Sequence, residues 1–141
     1  MVLTILIVGL GVFFTFGVSG QQKKLDTAGM HETLNSLADA STQARELSAE
    51  FTKDRVTPNY YRIQMNSILR DLQISQSQLA AAEVDPPLAS AKQEARELYG
   101  HDISTIEQLR DSLFDKHLAE TDISIFEKVA AESKKVSEGL K

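Results

Sequence analysis

Three histidines and 20 carboxylates are the side chains of this 141-residue chain that could hold a metal or pass a proton. A di-iron or di-manganese helical bundle places Glu-x-x-His on two helices, because positions i and i+3 share one face. The residues three before His31, His101 and His117 are Ala28, Leu98 and Phe114, so that ligand set is absent. His-Glu-x-x-His, which sets two imidazoles one turn apart around zinc, is absent as well. Asp111, Asp115 and His117 form a polar patch that reads as a solvated helix face. With no Cys there is no thiolate ligand, no disulfide and no Cys nucleophile. No Gly-x-Ser-x-Gly elbow presents a serine. Beyond residue 22 the glycines Gly29, Gly100 and Gly139 stand alone and build no phosphate loop. The expectation is a chain without catalytic, cofactor-binding or metal-binding residues.

What remains is recognition by surfaces. The formal net charge is -5, which argues against nucleic acid, since a phosphate backbone is bound by a basic face that displaces its counterions. Tyr60 and Tyr61 lie between Arg55 and Arg62. Tyr and Arg carry binding energy at protein interfaces more often than other residues do. Arg55, Tyr60 and Arg62 are therefore the candidate docking residues, with Tyr61 assigned to the core. Lys134 and Lys135 read as partners of a helix C-terminal dipole.

The elements that must position these residues begin with an uncharged segment. All 15 Lys and Arg and all 20 Asp and Glu lie beyond Gln22. Val2 to Val18 holds twelve strongly apolar residues, and about 20 residues of helix span the ~30 Å of a bilayer core. Val18-Ser19-Gly20 resembles a signal-peptidase site. No basic residue precedes the apolar run, however, and the run exceeds the usual apolar stretch of a secretory signal. Residues 1–22 are accordingly expected to be a retained transmembrane helix or signal anchor. Gly11, Thr15 and Ser19 recur every fourth residue and would let a second membrane helix approach closely.

Residues 23–141 read as helix almost throughout and are expected to form an up-down-up-down four-helix bundle. Met30, Leu34, Leu37, Ala44 and Phe51 follow three- and four-residue steps, with Ser41 and Ser48 at intervening seam positions. This predicts a first helix over about 25–56. Thr57 as a cap and Pro58 at the first helical position open a second, about 58–84, burying Tyr61, Met65, Ile68, Leu72 and Leu79. Asp85-Pro86-Pro87 separates it from a third, about 86–118. The stripe of positions 88, 91, 95, 98, 102, 106, 109 and 113 keeps register across Gly100, so one helix is expected there. A split at Gly100 with Ser104 and Glu107 as a capping box is the alternative. Thr121 or Asp122 is expected to open the fourth, about 121–139, burying Phe126, Val129, Ala130 and Val136. Asp102-Ile103-Ser104-Thr105-Ile106-Glu107 echoes Asp122-Ile123-Ser124-Ile125-Phe126-Glu127. A single pair is too little for a repeat array and reads as two similar helix starts.

The order of the helices, Asp54-Arg55 just before the aromatic pair Tyr60-Tyr61, and Leu69-Arg70-Asp71-Leu72 in the second helix resemble the Q-type extrinsic subunit of photosystem II over about Leu25 to Leu140. This chain has Tyr where that family usually has Trp, and one residue fewer in the Leu-Arg-x-Asp-Leu motif. The family's mature members also lack a membrane helix. The resemblance implies a lumen-facing subunit that stabilises a photosynthetic membrane complex and has no catalytic residues. It also implies an extracytoplasmic body, periplasmic or thylakoid lumenal, although Lys23 and Lys24 after the span favour the cytoplasmic side by the positive-inside rule. The functional expectation is broader than the family. It is a membrane-anchored accessory subunit whose partners are the bilayer and the subunits of a membrane complex. Two alternatives stand beside it. One is an extracytoplasmic ligand-sensing bundle, which would need a return span to signal. The other is a pilin-like filament subunit, although Ile5 occupies the position near which such subunits carry a glutamate.

Overall fold

A computed structural model describes residues 24–140. The chain enters it through a two-residue strand, β1 (Lys24–Leu25), and continues into helix α1 (Thr27–Thr52). Asp26 starts that helix, its Oδ1 accepting from the Gly29 N–H at 2.8 Å. The apolar stripe read from the sequence faces inward. Met30, Leu34, Leu37, Ala44 and Phe51 are all buried, as are Ser41 and Ser48 on the same seam.

Helix α1 ends at Thr52 rather than near 56, and the reason is a Schellman motif. The Arg55 N–H reaches the Glu50 carbonyl at 2.9 Å and the Asp54 N–H reaches Phe51 at 3.1 Å, with Asp54 at φ 58°. Asp is one of the few L-residues that enters this left-handed region readily. Helix α2 (Pro58–Ala81) then opens as expected, with Thr57 accepting from the Tyr60 N–H at 3.1 Å and Pro58 in the first turn.

Where α2 was expected to run on to 84, the chain turns extended at Ala82. Glu83–Val84 forms strand β2, which pairs in parallel with β1 in the register Lys24 to Glu83 and Leu25 to Val84. Lys24 pairs with Asp85 at 2.5 Å. Farther along the chain, Lys92 Nζ donates to the Ala82 carbonyl at 2.6 Å, just past the end of α2. A 3₁₀ turn at Pro86–Leu88 leads into α3 (Ala89–Asp111). Gly100 lies inside this helix with an ordinary helical φ, so the continuous reading holds and the split one does not.

Helix α3 stops at Asp111, not 118, through a second Schellman motif. The Phe114 N–H reaches the Leu109 carbonyl at 2.7 Å and the Leu113 N–H reaches Arg110 at 3.0 Å. Leu113 and Phe114 sit at φ 57° and 56°. Leu113, expected in the core, is instead 88% exposed, and Phe114 takes the buried place. Asp115 caps α4 (Lys116–Glu138) by accepting from the Leu118 N–H at 2.9 Å. Thr121 and Asp122 therefore lie within α4 and do not start it.

Each helix packs against its neighbours in sequence, and α4 closes back on α1 as the most extensive pairing. His31 at the start of α1 meets Ser137 at the end of α4, and Asp54 after α1 pairs with Lys116 at the start of α4. Those two contacts make α1 and α4 antiparallel; Ser48 with Tyr61 sets the end of α1 against the start of α2, and Lys92 with Ala82 and Gln73 with Glu107 set α2 against α3, so the helices run up-down-up-down. Tyr99 crosses the diagonal, its Oη donating to the Thr33 carbonyl at 3.1 Å. No helix among the described residues is long and apolar enough to cross a membrane. The span expected over residues 1–22, with Gly11, Thr15 and Ser19, lies outside the described residues.

Candidate functional site

The bundle has two unlike ends. At one, β1 and β2 pair beside the start of α1. At the other, the α1–α2 and α3–α4 loops lie together, tied by Lys116 and Asp54. The three residues expected to dock a partner are at this second end. Arg55 is exposed and reaches Glu50 at 3.3 Å, and exposed Arg62 donates from Nη2 to Asn59 Oδ1 at 2.7 Å. Tyr60 is half-buried in the first turn of α2. Each arginine thus bonds to a partner close by in sequence, Arg55 from the α1–α2 loop and Arg62 from within α2, and both are exposed.

Beneath them lies an aromatic cluster. Tyr61 stacks on Phe51 with ring centres 4.2 Å apart and meets Phe114 edge-on at 5.9 Å. Such pairs contribute about 0.5–1.5 kcal/mol each beyond the area they bury. The Tyr61 hydroxyl shares a 2.8 Å hydrogen bond with Ser48, and burial pushes it up to about 12. The cluster fixes both loops from below, and fixing Phe114 turns its neighbour Leu113 outward. Sequence reasoning missed Leu113 as a surface residue because its position continues the apolar stripe of α3.

The second feature missed lies in the core. Asp102 on α3 is fully buried and Asp122 on α4 is 3% exposed, while no Lys, Arg or His pairs with either among the described residues. Asp102 Oδ2 is hydrogen-bonded to Ser41 Oγ of α1, and Oδ1 has no partner among the described residues. Asp122 Oδ2 has none either. Burial pushes Asp102 up to about 7, against the opposing pull of the Ser41 hydrogen bond, and pushes Asp122 up to about 6. Two signals pointed here. The apolar register of α3 passes through position 102, and the echoed hexapeptide places an Asp four residues before buried Ile106 and again before buried Phe126. The echo marks two inward-facing carboxylates, not two helix starts.

Asp111, Asp115 and His117 are all exposed, and Asp115 serves as the α4 cap. Among the described residues no three His, Asp or Glu converge as a metal site would require. An open polar cleft of about 410 Å³ runs between α2 and α3, lined by Gln76, Ser77, Ala80, Gln93, Arg96 and Glu97. No protein-family model, no curated protein and no solved structure matches the chain.

Proposed function

We propose that this protein is a non-catalytic accessory subunit, anchored by residues 1–22 and docked on a larger membrane complex through the bundle end that carries Arg55, Tyr60, Arg62 and Leu113. The observation that carries the reading is Leu113. A large apolar side chain is 88% exposed on a left-handed backbone that costs an L-residue roughly 1–2 kcal/mol. Glycine would end α3 without that cost. A leucine held out at a strained position, at the bundle end that also carries Arg55, Tyr60 and Arg62, adds an apolar side chain to the Tyr and Arg in which binding hot spots are enriched. The uncharged length of residues 1–22 supports the membrane part of the reading, and the family resemblance supports an extracytoplasmic body.

The test is co-purification in mild detergent followed by mass spectrometry of what co-migrates. Changing Tyr60 and Arg62 to Ala should weaken association by about 2 kcal/mol or more, as loss of hot-spot residues does, while helical content and melting stay nearly unchanged. Co-purification unaltered in the double variant and in Leu113→Ala would refute the docking end.

A further inference from the structure

We propose that Asp102 is held in the core as a neutral carboxylic acid that donates its proton to Ser41 Oγ, so that the closure of α1 on α3 depends on that proton. The argument is a count of hydrogens. Ser41 Oγ lies 2.9 Å from the Leu37 carbonyl and also within hydrogen-bonding distance of Asp102 Oδ2. A serine hydroxyl has one hydrogen, and both neighbours are acceptors when Asp102 is ionised. One of the two contacts would then be acceptor against acceptor in a site with no solvent. If the acid is protonated, Ser41 donates to Leu37, Asp102 donates to Ser41, and both contacts are satisfied.

The other carboxyl oxygen supports the same assignment. Asp102 Oδ1 has no hydrogen-bond partner among the described residues. As the carbonyl oxygen of a neutral acid it is a tolerable orphan, whereas as half of a buried carboxylate it would carry unscreened charge. The surrounding helices supply nothing to offset that charge. Ser41 faces Asp102 from α1, Tyr99 is the titratable neighbour on α3, and Ser75 of α2 stands beside the Tyr99 hydroxyl. Neither α2 nor α4 brings an ion-pairing cation to it among the described residues. Asp122 on α4 is a second buried carboxyl, close enough to raise Tyr61 of α2 through its charge, and its Oδ2 has no hydrogen-bond partner among the described residues.

The device that follows is a bundle that tightens in acid and loosens as pH rises. On ionisation the single Ser41 hydrogen must leave Leu37 to serve the carboxylate, and Oδ1 becomes a buried anionic oxygen without a donor. Unfolded aspartates ionise near 3.8, and the folded Asp102 near 7, so the stabilisation is complete below the first value and is lost as pH rises through the second. Between pH 5 and pH 8 the unfolding constant should rise roughly a hundredfold on account of Asp102 and about tenfold on account of Asp122.

The full-length chain in mild detergent, labelled with ¹³C at aspartate Cγ, provides the decisive measurement. The Asp102 resonance should titrate near neutrality, and a midpoint in the ordinary carboxylate range would overturn the proposal. Urea unfolding at pH 5 and pH 8 gives a second readout with Asp102→Asn, whose amide can donate to Ser41 as the acid does. That variant should lose most of the pH dependence and be the more stable protein at pH 8. An unchanged pH dependence would refute the assignment. If Asp102→Asn does not fold, the titration of the unaltered protein decides alone.

Discussion

Leu113 and Phe114 are adjacent, share a left-handed backbone, and should respond to mutation in opposite ways. Leu113 buries almost nothing, so its removal exposes no cavity. Leu113→Gly should relieve the left-handed strain, partly offset by the greater freedom of glycine in the unfolded chain. The expected result is stability unchanged or raised by up to about 1 kcal/mol in urea unfolding, together with weaker association with the proposed partner complex. Phe114 is 8% exposed and packs edge-on against Tyr61. Phe114→Ala should therefore cost about 3–5 kcal/mol, the range for emptying an aromatic core position. A leucine that served only to terminate α3 would show no association defect as glycine. The pair separates what the loop does for the fold from what it offers a partner.

At the scale of the helix, Gly100 gives the sharpest test. A Cβ there would meet only Gln76 Nε2 at 3.8 Å, an ordinary contact, and the backbone is helical. Gly100→Ala should raise stability by up to about 1 kcal/mol, the helix propensity difference, as measured by urea unfolding. A loss of similar size would mean the residue needs a conformation that alanine resists. The helix interiors were legible because their apolar register is regular: the α1 stripe from Met30 to Phe51, and the passage of α3 through Gly100. The α1–α2 junction was legible from Thr57-Pro58, whose cap and fixed φ act locally. The α3–α4 turn was not. Its stop signal is usually glycine at the left-handed position, and here Leu113 occupies that place while continuing the apolar stripe. The strand pair was illegible for another reason, since Lys24–Leu25 and Glu83–Val84 are joined by tertiary contact between distant segments and leave no local pattern. Asp102 was visible in the stripe, yet an aspartate is more often a helix cap than a core residue. Only its neighbours in space reveal which it is.

Taken as a whole, the molecule has a direction. The chain enters at β1, locked to the α2–α3 connection by backbone pairing and by Lys24 with Asp85, and the candidate docking residues lie at the opposite end. Helix α1 has 26 residues, so at about 1.5 Å per residue the two ends are roughly 40 Å apart. If residues 1–22 anchor the protein, carbonate washing should leave it in the membrane fraction, and an N-terminal sequence beginning at Gln21 would show that they do not. If they do and the bundle stands upright on them, the docking end lies about the length of α1 from the bilayer, and the partner reaches that height. Photo-crosslinking probes placed at Leu113 and at Glu83 report on this directly. The Leu113 probe should capture a protruding domain of the complex. The Glu83 probe should capture lipid or segments next to the membrane. Capture of one membrane-proximal segment by both probes would mean that the bundle lies along the membrane surface, and the docking geometry argued from Arg55, Tyr60 and Leu113 would fail with it.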